Sequence, residues 1–223
     1  MLLYYITDRK GFAGNDPDQR AALLLRIAEA ARSGIDYIQL REKDLQAAQL
    51  ELLAREALHA IRDNSATAKL LINTHADIAL AVGADGVHLP AGFPPADEIR
   101  DYWLRDSDRE PLIGVSAHSV EDVRQAESNG AGFAVLAPIF EKTATRAKGI
   151  GLKVLRQACA RSPEPHDGFT VLALGGVNLA NARSCIDAGA AGIAGIRLFQ
   201  QGDVSRTVNA LREFAWQNTH SAS

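Results

Sequence analysis

The hydrophobic pattern changes period repeatedly along the chain. Short apolar, β-branched runs fall at Leu2–Ile6, Tyr37–Leu40, Leu70–Ile72, Gly86–Leu89, Leu112–Val115, Phe133–Leu136, Val171–Leu174 and Gly192–Ile196. They are continuous rather than alternating, which predicts strands covered on both faces. Between them apolar residues recur at helical spacing. Ala21–Ser33 carries Leu24, Ile27, Ala28 and Ala31 on one stripe, and Leu45–Arg62, Ser119–Ser128, Leu152–Ala160, Leu179–Asp187 and Val204–Phe214 behave alike. Shorter helices are predicted over Ala76–Val82 and Ala96–Leu104. Strict strand–helix alternation predicts a parallel sheet, and eight such units predict a single (β/α)8 TIM barrel. The barrel is expected over residues 1–217, with 218–223 as a C-terminal tail. An open doubly wound sheet is the alternative arrangement of the same units.

An internal repeat favours closure. Gly34-Ile-Asp-Tyr-Ile-Gln-Leu, Gly83-Ala-Asp-Gly-Val-His-Leu, Gly130-Ala-Gly-Phe-Ala-Val-Leu and Gly189-Ala-Ala-Gly-Ile-Ala-Gly share one pattern. In each, a glycine able to adopt left-handed backbone ends a helix, and a strand begins within three residues. These are the second, fourth, sixth and eighth strands, and in a closed barrel alternate strands contribute to common interior layers.

Composition narrows the partners. Hydrophobic residues are 47% of the 223 and charged residues 23%, ordinary for a globular core. Lys and Arg total 24 against 27 Asp and Glu, a net charge of −3, so no global basic field for nucleic acid exists. No apolar run reaches the roughly 18 residues of a membrane span, and the first residues lack a signal-peptide pattern, so a cytoplasmic location is expected. Cys159 and Cys185 have no metal spacing and read as buried thiols. A homo-oligomer stays open.

In a barrel, chemistry sits where strands end. Thr7, Asp8 and Arg9 follow the first strand; Gln39, Arg41, Glu42 and Lys43 the second; Asn73, Thr74 and His75 the third. His88 lies on the fourth, Ser116 and His118 follow the fifth, and Glu141 to Arg146 follow the sixth. Gly175 and Gly176 follow the seventh, and Ile196 and Arg197 the eighth. Arg41, Lys43, Lys142, Arg146 and Arg197 thus gather at one rim, which predicts an anion site. Arg offers a fork to phosphate oxygens and Lys a point charge. Glycine pairs let backbone approach a phosphate, and Lys142, Thr143 and Thr145 suit a loop closing on a second phosphate. His88 and His118 read either as proton donors or acids and bases, or as hydrogen-bonded core residues.

These stretches resemble the thiamine phosphate synthase family, including its TenI-like branch. The matching segments are Tyr5-Ile-Thr-Asp8, Ile38-Gln-Leu-Arg-Glu-Lys43, Leu71-Ile-Asn73, Gly83 to Leu89, Ile113-Gly-Val-Ser-Ala-His-Ser119, Pro138-Ile-Phe140, Ala173-Leu-Gly-Gly-Val177 with Asn181, and Ala188 to Ala194. The resemblance implies a transferase joining hydroxymethylpyrimidine diphosphate to thiazole phosphate, with release of pyrophosphate and use of Mg2+. It implies that Gln39, Arg41 and Lys43 hold the diphosphate beside Asn73, and that Ser116 touches the pyrimidine or leaving group. Thr143 and Thr145 would lie where the two substrates meet. Gly176, Ile196 and Arg197 would cradle the thiazole phosphate, and Arg146 stands where a lysine is usual. Two departures stand out. The family carries an acid after the Asn of the third strand and another shortly after the His of the fourth; here the residues are Thr74 and Leu-Pro-Ala, so the metal ligands are undefined. The TenI branch uses a histidine where Pro138 stands. A thiazole tautomerase served by His118 or His88, and a non-catalytic binder of pathway phosphates, are therefore the alternatives.

Overall fold

Eight parallel strands pair in chain order and close on themselves in the computed structural model of the protein. The structure describes residues 1–141, 148–160 and 168–220. The strands are β1 (Leu2–Ile6), β2 (Tyr37–Leu40), β3 (Lys69–Asn73), β4 (Gly86–Leu89), β5 (Leu112–Ala117), β6 (Phe133–Leu136), β7 (Thr170–Ala173) and β8 (Gly192–Gly195). The helices are α1 (Asp16–Arg32), α2 (Ala47–Arg62), α3 (Ala76–Val82), α4 (Ala96–Leu104), α5 (Val120–Ser128), α6 (Gly151–Cys159), α7 (Ala182–Asp187), α8 (Arg197–Gln200) and α9 (Val204–His220). The expected (β/α)8 barrel is present, and β1 pairs with β8 through Leu2 and Gly192 to complete it.

The repeated glycines act as expected. Gly34, Gly83, Gly130 and Gly189 all have positive φ. At each, the next residue's N–H reaches back into the helix: Ile35 to Ala30, Ala84 to Ala79, Ala131 to Ala126 and Ala190 to Cys185, at 2.9–3.1 Å. This six-to-one bond satisfies an orphan carbonyl and aims the chain into the next strand. Asp36 and Asp85 then cap neighbouring strands, accepting the N–H groups of Leu3 and Leu70. Both cysteines are free, Cys185 buried and Cys159 half-buried.

Some boundaries differ from expectation for local reasons. α1 starts at Asp16 because Asn15 and Asp18 form a reciprocal capping box with Pro17 in the first turn, a stretch with few apolar residues to reveal it. α7 starts at Ala182 because Asn178 and Asn181 hold a turn there: Asn181 Oδ1 accepts the Asn178 N–H at 2.8 Å. The short α8 has no counterpart in the apolar pattern, and α9 continues to His220. Among the described residues no helix is long and apolar enough to cross a membrane.

The barrel interior is filled by side chains. Tyr4, Ile6, Leu71, Phe133, Val135, Leu172 and Ala194 form one buried cluster, separate from the layer between strands and helices. Tyr4 meets Phe133 edge to face at 5.4 Å and Tyr37 at 6.0 Å. Phe133 fits because β5 carries Gly114: a Cβ there would lie 2.3 Å from the Phe133 ring. Such packing closes the barrel below its C-terminal mouth and leaves that end for the site.

Candidate active site

The mouth is built from strand ends. Just past β1 and β2, Glu42 is buried and accepts the Thr7 hydroxyl at 2.6 Å and the Arg9 N–H at 3.0 Å. Burial pushes its carboxyl above the ordinary value, opposed by those donors and by the Arg9 charge. Arg9 is itself buried and committed to Asp16 at 2.6 Å and Asp44 at 2.7 Å. The Arg9 guanidinium holds Asp44 well below the usual carboxylate range. Arg41 and Lys43 emerge from this locked corner, half-buried and exposed respectively. Among the described residues no carboxylate pairs with Arg41, Lys43 or Arg197. They are free to meet an anion.

The opposite side of the mouth is a cleft of about 960 Å³ between the β6, β7 and β8 loops. Gly175, Gly176, Ile196 and Arg197 line it. Gly176 has φ +67°, and a Cβ there would lie 2.7 Å from Phe140 Cβ, so only glycine fits without movement. The turn is held from both flanks: Phe140 N–H donates to Gly175 O at 2.9 Å, and Asn181 Nδ2 donates to Gly176 O at 3.0 Å. Ile196, at φ −94° and ψ −80°, turns the chain from β8 into α8 and leaves Arg197 exposed at the rim. Gln200 ties this corner to β1, accepting from the Tyr5 hydroxyl at 3.0 Å and donating to Asp8 O at 2.6 Å. Asp8 and Glu141 also line the cleft, so its charge is mixed rather than uniformly positive.

A buried polar chain links β2, β1, β4 and β5 inside the barrel. Gln39 Nε2 donates to Tyr4 Oη at 2.8 Å, Tyr4 Oη lies 3.2 Å from His88 Nδ1, and His88 Nε2 lies 2.9 Å from Ser116 Oγ. Burial, with help from the Arg41 charge, lowers the His88 pKa to about 3, so the ring is neutral. Gln39, expected to hold diphosphate, is 1% exposed and gives this donor inward. The apolar pattern marks Tyr4 only as a strand residue. The missed signal is the period-two placement of Tyr4 beside inward-facing Gln39 and His88.

His118 stands apart from that chain. It is exposed, its Nδ1 lies 2.8 Å from Ala137 O, and its N–H donates to Asp122 at 2.7 Å. Asn73 is half-buried and donates to Thr74 Oγ1 at 2.9 Å. Thr74 adopts φ +70°, a conformation costly for a β-branched residue, and its N–H is pinned to His88 O at 2.8 Å. Lys142, Thr143, Thr145 and Arg146 lie outside the described residues.

The donor set near Asn73 does not fit a carboxylate-held Mg2+. Asn73 and Thr74 offer neutral oxygens, Glu42 is consumed by Thr7 and Arg9, and Asp77 is exposed with His75 at 3.8 Å. Mg2+ favours one or two carboxylates with substrate phosphates. Among the described residues no three His, Cys, Asp or Glu side chains converge.

Comparison with known proteins shows the family and the fold. The family model described as thiamine monophosphate synthase matches residues 3–199. The chain is 36% identical over 195 residues to a thiamine-phosphate synthase of Roseiflexus sp., covering 86% of this chain and 75% of that one. It is 37% identical over 193 residues to the thiamine-phosphate synthase of Moorella thermoacetica, covering 84% and 85%. The solved thiamine phosphate pyrophosphorylase from Pyrococcus furiosus superposes with a TM-score of 0.77 at 28% identity, over 97% of this chain and 96% of that one. The chain belongs to the thiamine monophosphate synthase family.

Proposed function

We propose that the protein joins hydroxymethylpyrimidine diphosphate to thiazole phosphate, making thiamine phosphate and pyrophosphate. The observation that carries this reading is the pairing of two anion-ready corners across one mouth. Arg41 and Lys43 stand free of carboxylates on one side, and the Gly176–Arg197 cleft lies on the other.

In this reading the bond between the pyrimidine methylene carbon and the diphosphate oxygen breaks, and its electron pair leaves with the diphosphate. The thiazole nitrogen then gives its lone pair to the methylene cation. Arg41 and Lys43 take up the charge developing on the leaving group, which is the main work such a reaction asks of a protein. Gly176, Ile196 and Arg197 hold the thiazole phosphate, so that the nitrogen waits close to the cation. Lys142, Thr143, Thr145 and Arg146 complete the anion contacts by resemblance to the family. No step runs through Mg2+, since the side chains beside Asn73 do not fit it.

The test is direct. Purified protein is incubated with both substrates, with EDTA and across a Mg2+ series, and thiamine phosphate is measured. Product formation supports the reading. No product at any Mg2+ concentration, with melting shifts still induced by either substrate, would turn it into a phosphate binder. Acceleration of thiazole carboxylate isomerisation instead would make it a tautomerase.

A further inference from the structure

We infer that Tyr4 and His88 are positioning residues that fix Ser116 as a hydrogen-bond donor into the barrel mouth. Its partner would be an acceptor atom of the bound ligand, a phosphate oxygen or a ring nitrogen. The identity of that ligand rests on the synthase reading; the polarity of the chain does not.

Four side chains share their protons in one order. Gln39 gives an amide N–H to Tyr4 Oη at 2.8 Å. Tyr4 is fully buried, and burial raises its pKa, so the phenol keeps its proton. That proton is left for His88 Nδ1 at 3.2 Å. A neutral imidazole has one donor nitrogen and one acceptor nitrogen. With Nδ1 accepting, Nε2 carries the hydrogen and donates to Ser116 Oγ at 2.9 Å. One lone pair of the serine oxygen is then taken, and its hydrogen is available to an acceptor atom of a ligand.

Packing keeps this order in place. Phe133 stands 5.4 Å from Tyr4 and 6.1 Å from His88, ring centre to ring centre. Ser116 is the half-buried end of the chain, and it also lines a small cleft of about 170 Å³ with Pro90, Phe93 and Pro95. The reverse polarity would have Ser116 donate to His88 Nε2, making the pair a base and an activated oxygen. Only the first arrangement leaves the Ser116 hydrogen for an acceptor atom of the ligand.

The experiment reads the tautomer in the ligand-free protein. Long-range proton–nitrogen correlation on histidine-labelled protein at pH 7, with His88→Gln to assign the signal, gives the protonated nitrogen. A bare Nδ1 and a protonated Nε2 are expected, and Tyr4→Phe should move population toward the Nδ1–H form. A wild-type ring protonated on Nδ1, or on both nitrogens, overturns the inference. This arm stands whether or not the synthase assay yields product. Where it does, Tyr4→Phe should lower kcat about ten-fold, the scale of one charge-assisted hydrogen bond. It should add nothing to the loss caused by Ser116→Ala. Independent losses that multiply in the double variant would also overturn it.

Discussion

The Thr7 hydroxyl joins two loops: it donates to Glu42 at 2.6 Å and accepts the Arg41 N–H at 3.0 Å. One oxygen thus links a buried carboxylate to the backbone of a free cation. Thr7→Val keeps the shape and removes both bonds. It should cost about 1–3 kcal/mol in denaturant unfolding, since a buried carboxylate and a part-buried N–H lose a partner. It should also weaken inorganic pyrophosphate binding several-fold in calorimetry, because Arg41 loses its anchor. Thr7→Ser should restore both. A valine variant with wild-type stability and affinity would show that the corner does not depend on this oxygen.

Gly176→Ala adds one methyl where Phe140 Cβ and the Glu141 carbonyl stand 2.7 and 3.0 Å from the new Cβ, at φ +67°. The strain of a non-glycine residue in a disfavoured backbone region is about 1–3 kcal/mol. Melting should fall accordingly, and thiazole phosphate affinity should fall with it. Arginine-rim binding of pyrophosphate should be spared. Equal losses for both ligands would mean that the two corners are not separate.

The barrel was legible because local and global signals agreed. Four glycine-ended helices and eight apolar runs point to one topology, and the register follows from residues such as Tyr37 opposite Lys69 and Gly86 opposite Leu112. Arg41, Lys43 and Arg197 were legible as rim residues because strand ends must face the mouth, while Lys142 and Arg146 lie outside the described residues. The Tyr4–His88 contact was not, since residues 84 apart meet only once the barrel closes. His118 and Gln39 looked alike as polar residues at strand ends. Only packing shows that one is tied to Ala137 O and the other is turned inward.

Arg41→Ala should raise the dissociation constant for inorganic pyrophosphate at least ten-fold at low ionic strength. The gap should narrow in salt, because the contact is electrostatic and half-exposed. Arg41→Lys should recover only part, since an ammonium cannot reproduce the guanidinium fork. Unchanged affinity in the alanine variant would place the diphosphate elsewhere.

Thr74 is a β-branched residue at φ +70°. Asparagine and aspartate tolerate that region better. Thr74→Asn should therefore stabilise the fold by about 1 kcal/mol through relief of strain. Thr74→Asp should do the same and add a carboxylate beside Asn73. Pyrophosphate binding by the aspartate variant should then tighten with Mg2+, whereas binding by the wild type should respond little. Strong Mg2+ dependence in the wild type would mean that other donors hold the ion.

His88 sets a pH dependence of stability with a defined sign. Its pKa is lowered to about 3 in the fold, by burial first and by Arg41 second. An unfolded histidine titrates near 6.5, so below that value the unfolded chain binds a proton that the fold refuses. Stability is fully present above about pH 6.5 and is lost as pH falls toward 3. Between pH 7 and pH 5 the loss from this one group is about 2 kcal/mol, at 1.36 kcal/mol per pH unit. Glu42, with its raised carboxyl pKa, acts in the opposite sense over the acidic part of the same range. Comparing wild type with His88→Gln therefore isolates the histidine term. Urea midpoints measured at both pH values should fall more for the wild type than for the variant. Parallel declines would mean that His88 is charged in the fold, and with it the direction of the hydrogen bond to Ser116 would be lost.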